Sequence, residues 1–547
     1  MLKLLPYKII TLIKRLPNMK YLTNVYFFLL TVFIASVHAD LGWRSPPFDL
    51  SASNRESNRP QICCDSSGNA FAIWNSRQII PPSLFSIIQV AYFNGDTLTW
   101  STPFNLTEGP QTALDPQICC DEFGNAFAIW IESDQIVMSS RFDKNTMIWS
   151  TPIQLEDNIE SYEARICCDN FGNATAIWVA SNGTNLVVRA AYFNGSSWTP
   201  TGSGTTISNP GEDTDVPQIC CDDLGNTIAV WQSYNGFNTI IQSSRFDGSS
   251  WTPAEQISKA GLDAFRPQIC CNNSGNAIAV WAGSDGSNLI TQASLFDGTS
   301  WSSSEDIFDI SLPGENTFQP QVCCDSSGNA FATWRRSNGA NDIIQASMFN
   351  GTSWTALADI PNLSEAGEDA EDPQICCDDL GNAYVVWQRS NGTNTVVQTS
   401  QFDGISWSSP PDHPATPGVP SFSPQVCCDN SGKAISVWVS APVSGIEVIQ
   451  SSFYTPMIFP PANFQGNRVT NQFPSQSSTS AHLSWTPNTD PNVTSFLIFK
   501  DGILLTTIPS YLSSYKDCNI DPCQSYSYTI ISVNVTGDES AVETITL

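Results

Sequence analysis

Histidine is nearly missing from this 547-residue chain: three occur, His38, His413 and His482, and the first falls at the end of an apolar leader. So few imidazoles exclude a clustered-histidine metal centre and a histidine-based nucleophilic triad. Positive charge is scarce too. Lys and Arg number 23 against 52 Asp and Glu, a formal net charge of −29. Five of the cations (Lys3, Lys8, Lys14, Arg15, Lys20) precede residue 40, so the rest of the chain stands at 18 − 52 = −34. A surface that acidic repels phosphate backbones and excludes nucleic acid as a partner. Helical periodicity is absent beyond the leader, and no later stretch is apolar enough to cross a bilayer. Disorder is excluded by what is plentiful: 41% of residues are hydrophobic and 11% aromatic, enough to offset the entropy of chain ordering.

The leader is YFFLLTVFIASV at 26–37, followed by small residues at Val37 and Ala39 and then Asp40. This apolar run is short for a membrane span and has the flanks of an export signal, so residues 1–39 are expected to be a signal peptide. Met19 is an alternative start, making MKYLTN the basic n-region, and a retained anchor helix is the competing reading. Export is the expectation, with membrane association at most peripheral.

The body of the chain is repetitive. PQICCDSSGNAFAIW at 60–74 returns in altered form ending at Trp130, Trp178, Trp231, Trp281, Trp334, Trp387 and Trp438, eight copies in all. Their glycines, Gly68 to Gly432, are spaced by 56, 48, 53, 50, 53, 53 and 51 residues. Between copies lies a second motif, as in RFDGSSWTP around Trp251, with tryptophans at 100, 149, 198, 251, 301, 354 and 407, only seven. The eighth is found at the other end, in Leu41-Gly42-Trp43-Arg44-Ser45-Pro46. An N-terminal piece that completes the last repeat implies a closed ring. Each unit reads as four short strands: ICCD, NAFAIW after a DxxGN turn, IIQASxF, and a strand bearing the second tryptophan. The expected fold is therefore all-β, an eight-bladed β-propeller over residues 40–456 whose last blade is closed by the N-terminal strand, with an open β-solenoid as the alternative.

The unit resembles the NHL-like and Asp-box-like propeller repeats of secreted bacterial proteins, in which PxIAVDxxGNAxAVW precedes a second aromatic strand. The likeness covers roughly residues 41–455 and departs from the Asp-box in having cysteine where that motif leads with Ser or Thr. It implies fold, not activity. After a linker at 457–461, residues 462–547 resemble a fibronectin type III domain. Trp485 matches that family's core tryptophan, Tyr526 its corner tyrosine, and Lys500-Asp501-Gly502 supplies a hairpin turn.

The 18 cysteines divide as eight adjacent pairs plus Cys518 and Cys523. The last two lie in CNIDPC and are expected to bond to one another in an exported protein. The pairs are Cys63/Cys64, Cys119/Cys120, Cys167/Cys168, Cys220/Cys221, Cys270/Cys271, Cys323/Cys324, Cys376/Cys377 and Cys427/Cys428. Adjacent strand residues face opposite sides, so each pair addresses both neighbouring blades. Three readings stay open: small packing residues, a ring of inter-blade disulfides, and vicinal or intermolecular bonds. Stacked sheets lie about 10 Å apart and a disulfide needs Cα atoms within about 7 Å, so a ring requires the blades to converge near the axis. No CxxC occurs, and neither a metal nor another cofactor is expected.

The repeated Asp of DxxGN has a structural reason in capping a tight turn. Residues that break the repeat are better functional suspects. Acidic loops precede the PQxCC strands (Glu212, Asp213, Asp215; Glu365, Glu368, Asp369, Glu371, Asp372), and Tyr234, Phe237, Arg335, Arg336 and Arg389 follow the first tryptophans. These latter five form the expected ligand face, for a protein or glycan. No catalytic constellation is identifiable. The functional expectation is an exported binding or scaffold protein of a bacterial envelope or surface, with a carbohydrate-active hydrolase, sialidase-like or otherwise, as the alternative. The adjacent cysteine pairs resemble, in composition only, those of disulfide-linked envelope proteins of chlamydia-like bacteria.

Overall fold

In this computed structural model the described residues run from 42 to 547, apart from 80–84, 134, 157–159, 201, 410, 443–444, 456–460, 474–475, 487–492, 535–539 and 541. The expected signal peptide and most of the expected linker lie outside them. Among the described residues no helix is long and apolar enough to cross a membrane.

Each repeat begins with a strand ending in the cysteine pair: Arg55–Cys64, Ala113–Cys120, Ser161–Cys168, Asp213–Cys221, Ala264–Cys271, Thr317–Cys324, Ala370–Cys377 and Ser421–Cys428. The DxxGN turn follows. Asp65 accepts hydrogen bonds from Ser67 N (3.0 Å), Asn69 N (2.8 Å) and Asn69 Nδ2 (2.7 Å), while Gly68 takes a φ of 79°, which costs glycine little. The next strand, Ala70–Gln78 in the first repeat, is buried on both faces through Ser76. A strand buried on both faces needs a sheet on either side. A third strand, Ser86–Asn94, continues the antiparallel meander.

The fourth strand differs from expectation. Its tryptophan makes only a two-residue pairing, as Trp198 opposite Phe193, or a single bridge, as Trp251 opposite Phe246. The chain then leaves the ladder and rejoins it further along, as Thr205–Thr206 does against Arg189 and Ala190. Prolines at this point, Pro103, Pro200 and Pro253, have no N–H to donate, which interrupts an edge strand.

Eight such sheets succeed one another. Hydrophobic clusters form between sheets: Phe127 and Ile129 of the second pack on Ala176 and Trp178 of the third, and Val437 and Ile449 of the eighth pack on Ala72 and Trp74 of the first. The first tryptophan of every repeat is fully buried. The arrangement is propeller-like: separate sheets packed in cyclic order, never merged into one closed sheet. The eighth takes its outer segments from the N-terminal end, Gly42 and Trp43 pairing with Thr455 and Tyr454, and Phe48 and Asp49 with Ser451 and Gln450.

Residues 462–547 form two further sheets around Leu483, Trp485, Phe496, Ile498, Tyr528 and Ile530. The Tyr526 hydroxyl accepts a 2.9 Å hydrogen bond from Asp521 N in the loop upstream, and Asp501-Gly502 turns the hairpin with φ of 49° and 77°. The expected Cys518–Cys523 bond is not formed; both are exposed thiols. The loop between them is ordered instead by Asp521, whose carboxylate takes Cys523 N at 2.8 Å, and by Asp517, which takes Asn519 N at 2.9 Å.

Candidate ligand site

Seven of the eight first strands contain a buried proline, Pro60, Pro116, Pro217, Pro267, Pro320, Pro373 or Pro424; the third has Ala164 there. Proline cannot donate to the ladder, and the pairing register shifts at this point in every repeat. The preceding residue takes a left-handed conformation: Arg59, Asp115, Glu163, Val216, Arg266, Gln319, Asp372 and Ser423 have φ between 49° and 54°. Holding a non-glycine residue there costs about 1–2 kcal/mol each. The repeat thus turns out eight side chains at one level, and chemically they do not repeat.

Successive members touch. Arg59 forms an ion pair with Asp115, and Gln319 donates to the Asp372 carboxylate. Glu163 Oε2 accepts from Val216 N at 2.8 Å. Arg266 N and Ser423 N instead donate to the side chains of Gln232 (3.2 Å) and Gln388 (3.0 Å), each one residue after a buried tryptophan. A cavity of about 860 Å³ opens among them, its wall including Glu163, Val216, Arg266, Gln319 and Asp372, with Phe265 and Phe318 beside them. The wall also includes Gln218, Gln268, Gln321 and Gln374, one per repeat, and Arg165 replaces glutamine in the third repeat.

The third repeat also breaks the electrostatic pattern. Burial, reinforced by the neighbouring and hydrogen-bonded Asp215 carboxyl, pushes the Glu163 carboxyl above its ordinary range. Burial lowers the Arg165 guanidinium, with Glu163 opposing the shift. The cavity therefore offers amide and guanidinium donors, carboxylate acceptors and two aromatic rings. That set suits a polar, hydroxyl-rich ligand. No cluster of three or more His, Cys, Asp or Glu side chains placed to hold a metal occurs among the described residues.

The five residues expected to form a ligand face do not converge. Arg335 alone reaches the cavity, lying over the Phe318 ring at 5.0 Å and 3.5 Å from carboxylate oxygens of Asp342 and Glu371. Arg336, the next strand residue, faces the opposite side of the sheet. Arg389 is buried and committed to Glu365 (3.3 Å) and to the Ala366 carbonyl (3.3 Å). Tyr234 and Phe237 sit on an exposed hairpin, the Tyr234 hydroxyl donating to the Gly236 carbonyl at 3.1 Å. Most of the acidic loop residues have structural partners. Asp213 takes Leu186 N at 3.0 Å and Asp369 takes Asp342 N at 2.9 Å, each tying the hairpin of the preceding repeat to the next first strand. Of that group Asp215 and Asp372 line the cavity. Glu163, Arg165, Arg266 and Gln319 were not singled out by the sequence reading, although Glu163-Ala164-Arg165 in place of x-Pro-Gln was a visible break in the repeat.

Five disulfides join neighbouring sheets at the far end of the same strands: Cys63–Cys120, Cys64–Cys427, Cys167–Cys221, Cys220–Cys271 and Cys270–Cys324. Their Cα–Cα separations are 5.7–5.8 Å, so the first strands do converge well inside the usual sheet spacing. Multiple disulfides point to an extracellular or otherwise oxidising compartment.

No family model and no curated protein matches the chain. Among solved structures, the β-propeller domain of the trilobed protease from Pyrococcus furiosus aligns at 7% identity and TM-score 0.40, covering 67% of this chain and 99% of that one. A polysaccharide lyase, an ulvan lyase, aligns at 9% identity and TM-score 0.40, covering 60% and 89%. The Aleuria aurantia lectin, in complex with Fucα1-6GlcNAc, aligns at 13% identity and TM-score 0.31, covering 56% and 97%. Likenesses this distant carry nothing about the ligand of this chain.

Proposed function

We propose that the protein is an exported, non-enzymatic binding protein of a cell surface or envelope, an eight-bladed β-propeller followed by a fibronectin type III-like sandwich, whose propeller takes a glycan at the mouth of its channel. The observation that carries this reading is the ring of left-handed residues. It is the position where the repeat holds backbone conformation constant and lets side-chain chemistry vary, and it borders the 860 Å³ cavity. Strained backbone positions gather at sites of function. Amides, guanidinium groups and carboxylates beside phenylalanine faces fit neutral sugars, whose hydroxyls both donate and accept.

Binding is favoured over hydrolysis by one detail. Of the three carboxyl groups lining the cavity, Glu163 and Asp215 are near enough to couple with each other, and Asp372 is held by Gln319. Two-carboxylate glycoside hydrolysis needs its groups about 5–5.5 Å apart to retain configuration, or roughly 6.5–9.5 Å apart to invert it. A glycan array probed with the intact protein tests the reading. Glycan binding should appear and should weaken about tenfold or more in Arg266→Ala and in Gln319→Ala, one lost polar contact being worth on the order of 1.4 kcal/mol. Undiminished binding in both variants, or binding of extended peptides alone, would overturn it.

A further inference from the structure

We propose that the cysteines of the eight first strands form one uninterrupted covalent annulus, in which Cys119–Cys168, Cys323–Cys377 and Cys376–Cys428 complete the five disulfides already described.

A single rule generates all five: the first cysteine of one repeat bonds to the second cysteine of the next, and the first cysteine of the eighth repeat, Cys427, returns to Cys64 of the first. Applied to the six remaining repeat cysteines, that rule has one solution, the three bonds named above. The local geometry is the same for bonded and unbonded members. In the unbonded set Cys119 lies opposite Phe127, Cys168 opposite Ala174, Cys323 opposite Phe331, Cys377 opposite Ala383, Cys376 opposite Tyr384 and Cys428 opposite Ala434. In the bonded set Cys63 lies opposite Phe71, Cys64 opposite Ala70, Cys167 opposite Thr175 and Cys220 opposite Ile228, the same register throughout. The members of each of the three thiol pairs also interact across the sheet boundary, Cys168 with Cys119, Cys377 with Cys323 and Cys428 with Cys376. A vicinal bond such as Cys376–Cys377 is disfavoured because the two side chains leave opposite faces of the strand.

Closure is a thiol–disulfide exchange with an external disulfide carrier. One thiol loses its proton and attacks the carrier's S–S bond, giving a mixed disulfide and one carrier thiolate. The second thiol, likewise deprotonated, displaces the other carrier sulfur. One protein S–S bond forms, one carrier S–S bond breaks, two electrons pass to the carrier and two protons are released. Burial raises the thiols of Cys168, Cys376 and Cys428, with Cys376 pushed up to about 11, so each is mostly protonated at neutral pH and must lose that proton before it attacks. Once closed, the annulus ties every sheet to both neighbours whatever happens at the chain ends, and the channel cannot open between any two of them.

The test uses the full chain, secreted through an oxidising compartment, unfolded without reductant, alkylated with iodoacetamide and mapped by mass spectrometry. Linked peptides for Cys119–Cys168, Cys323–Cys377 and Cys376–Cys428 are expected, with no label on any repeat cysteine. Cys518 and Cys523 take label and serve as the internal control. In Cys376→Ser, label should appear at Cys428 and at no other repeat position. Label at any of the six in the unaltered chain, a link within one adjacent pair, or label at all sixteen would overturn the annulus.

Discussion

Glu163 carries a pH dependence with a definite sign. Its carboxyl is raised above its ordinary value of 4.5 by burial and by Asp215, so the folded state holds this proton more tightly than the unfolded state. Its contribution to stability is complete below the ordinary carboxylate range and is lost as pH rises through the raised value. Glu163→Gln removes that loss while leaving an oxygen to accept from Val216 N. Urea unfolding should show the variant matching the wild type at pH 4 and exceeding it at pH 7; a constant offset at both pH values would contradict the assignment. At this scale the sequence was legible where a residue's role follows from its own chemistry. The DxxGN aspartates cap their turns as anticipated, and even Asn272, the exception, takes Ser274 N at 3.0 Å and Asn276 N at 2.9 Å. The left-handed ring was not legible. Arginine, aspartate, glutamate, valine, glutamine and serine all occupy it, and none of them announces a positive φ; it comes with the bulge at the register shift, whether proline follows, as in seven repeats, or alanine, as after Glu163.

Among the elements, the N-terminal segment shows how far a repeat can be separated from its parts. Phe48-Asp49-Leu50-Ser51 occupies the place in the eighth sheet that Phe104-Asn105-Leu106-Thr107 occupies in the first. Leu50 and Leu106 are both buried, and Ser51 and Thr107 each accept a backbone N–H from the third strand, from Ile449 at 2.8 Å and from Ile88 at 2.9 Å. Leu50→Ala should therefore cost about 2–5 kcal/mol in denaturant unfolding, the usual range for a buried leucine, and should match Leu106→Ala. A neutral Leu50→Ala would mean that the segment is a dispensable tail. The tryptophan count makes this closure readable in the sequence itself, since seven second-motif tryptophans need an eighth. The broken fourth strand was not readable, because the chain rejoins the ladder through residues as different as Thr205-Thr206 and Phe308-Asp309, and a two-residue pairing leaves too little pattern to detect.

For the molecule as a whole, cyclic symmetry sets the division of labour. Buried tryptophans and cysteine pairs recur in all eight sheets and pack sheet against sheet, while the cavity gathers side chains that the repeat leaves free to vary. A net charge of −29 keeps polyanions away, yet Arg165, Arg266 and Arg335 all line the cavity, so its selectivity is local. The five residues of the expected ligand face scatter because loop composition cannot say which side chains turn inward; Arg389 and Arg335 occupy similar places after a tryptophan, and only the strand's alternation separates them. The most direct test of the account is hydrogen–deuterium exchange of the intact protein with and without the best glycan from an array. Protection confined to the first-strand bulges, above all 163–166, 215–218, 266–269 and 319–322, is the result predicted. Protection on the outer edges of the sheets or within residues 462–547, with the channel mouth unchanged, would contradict it.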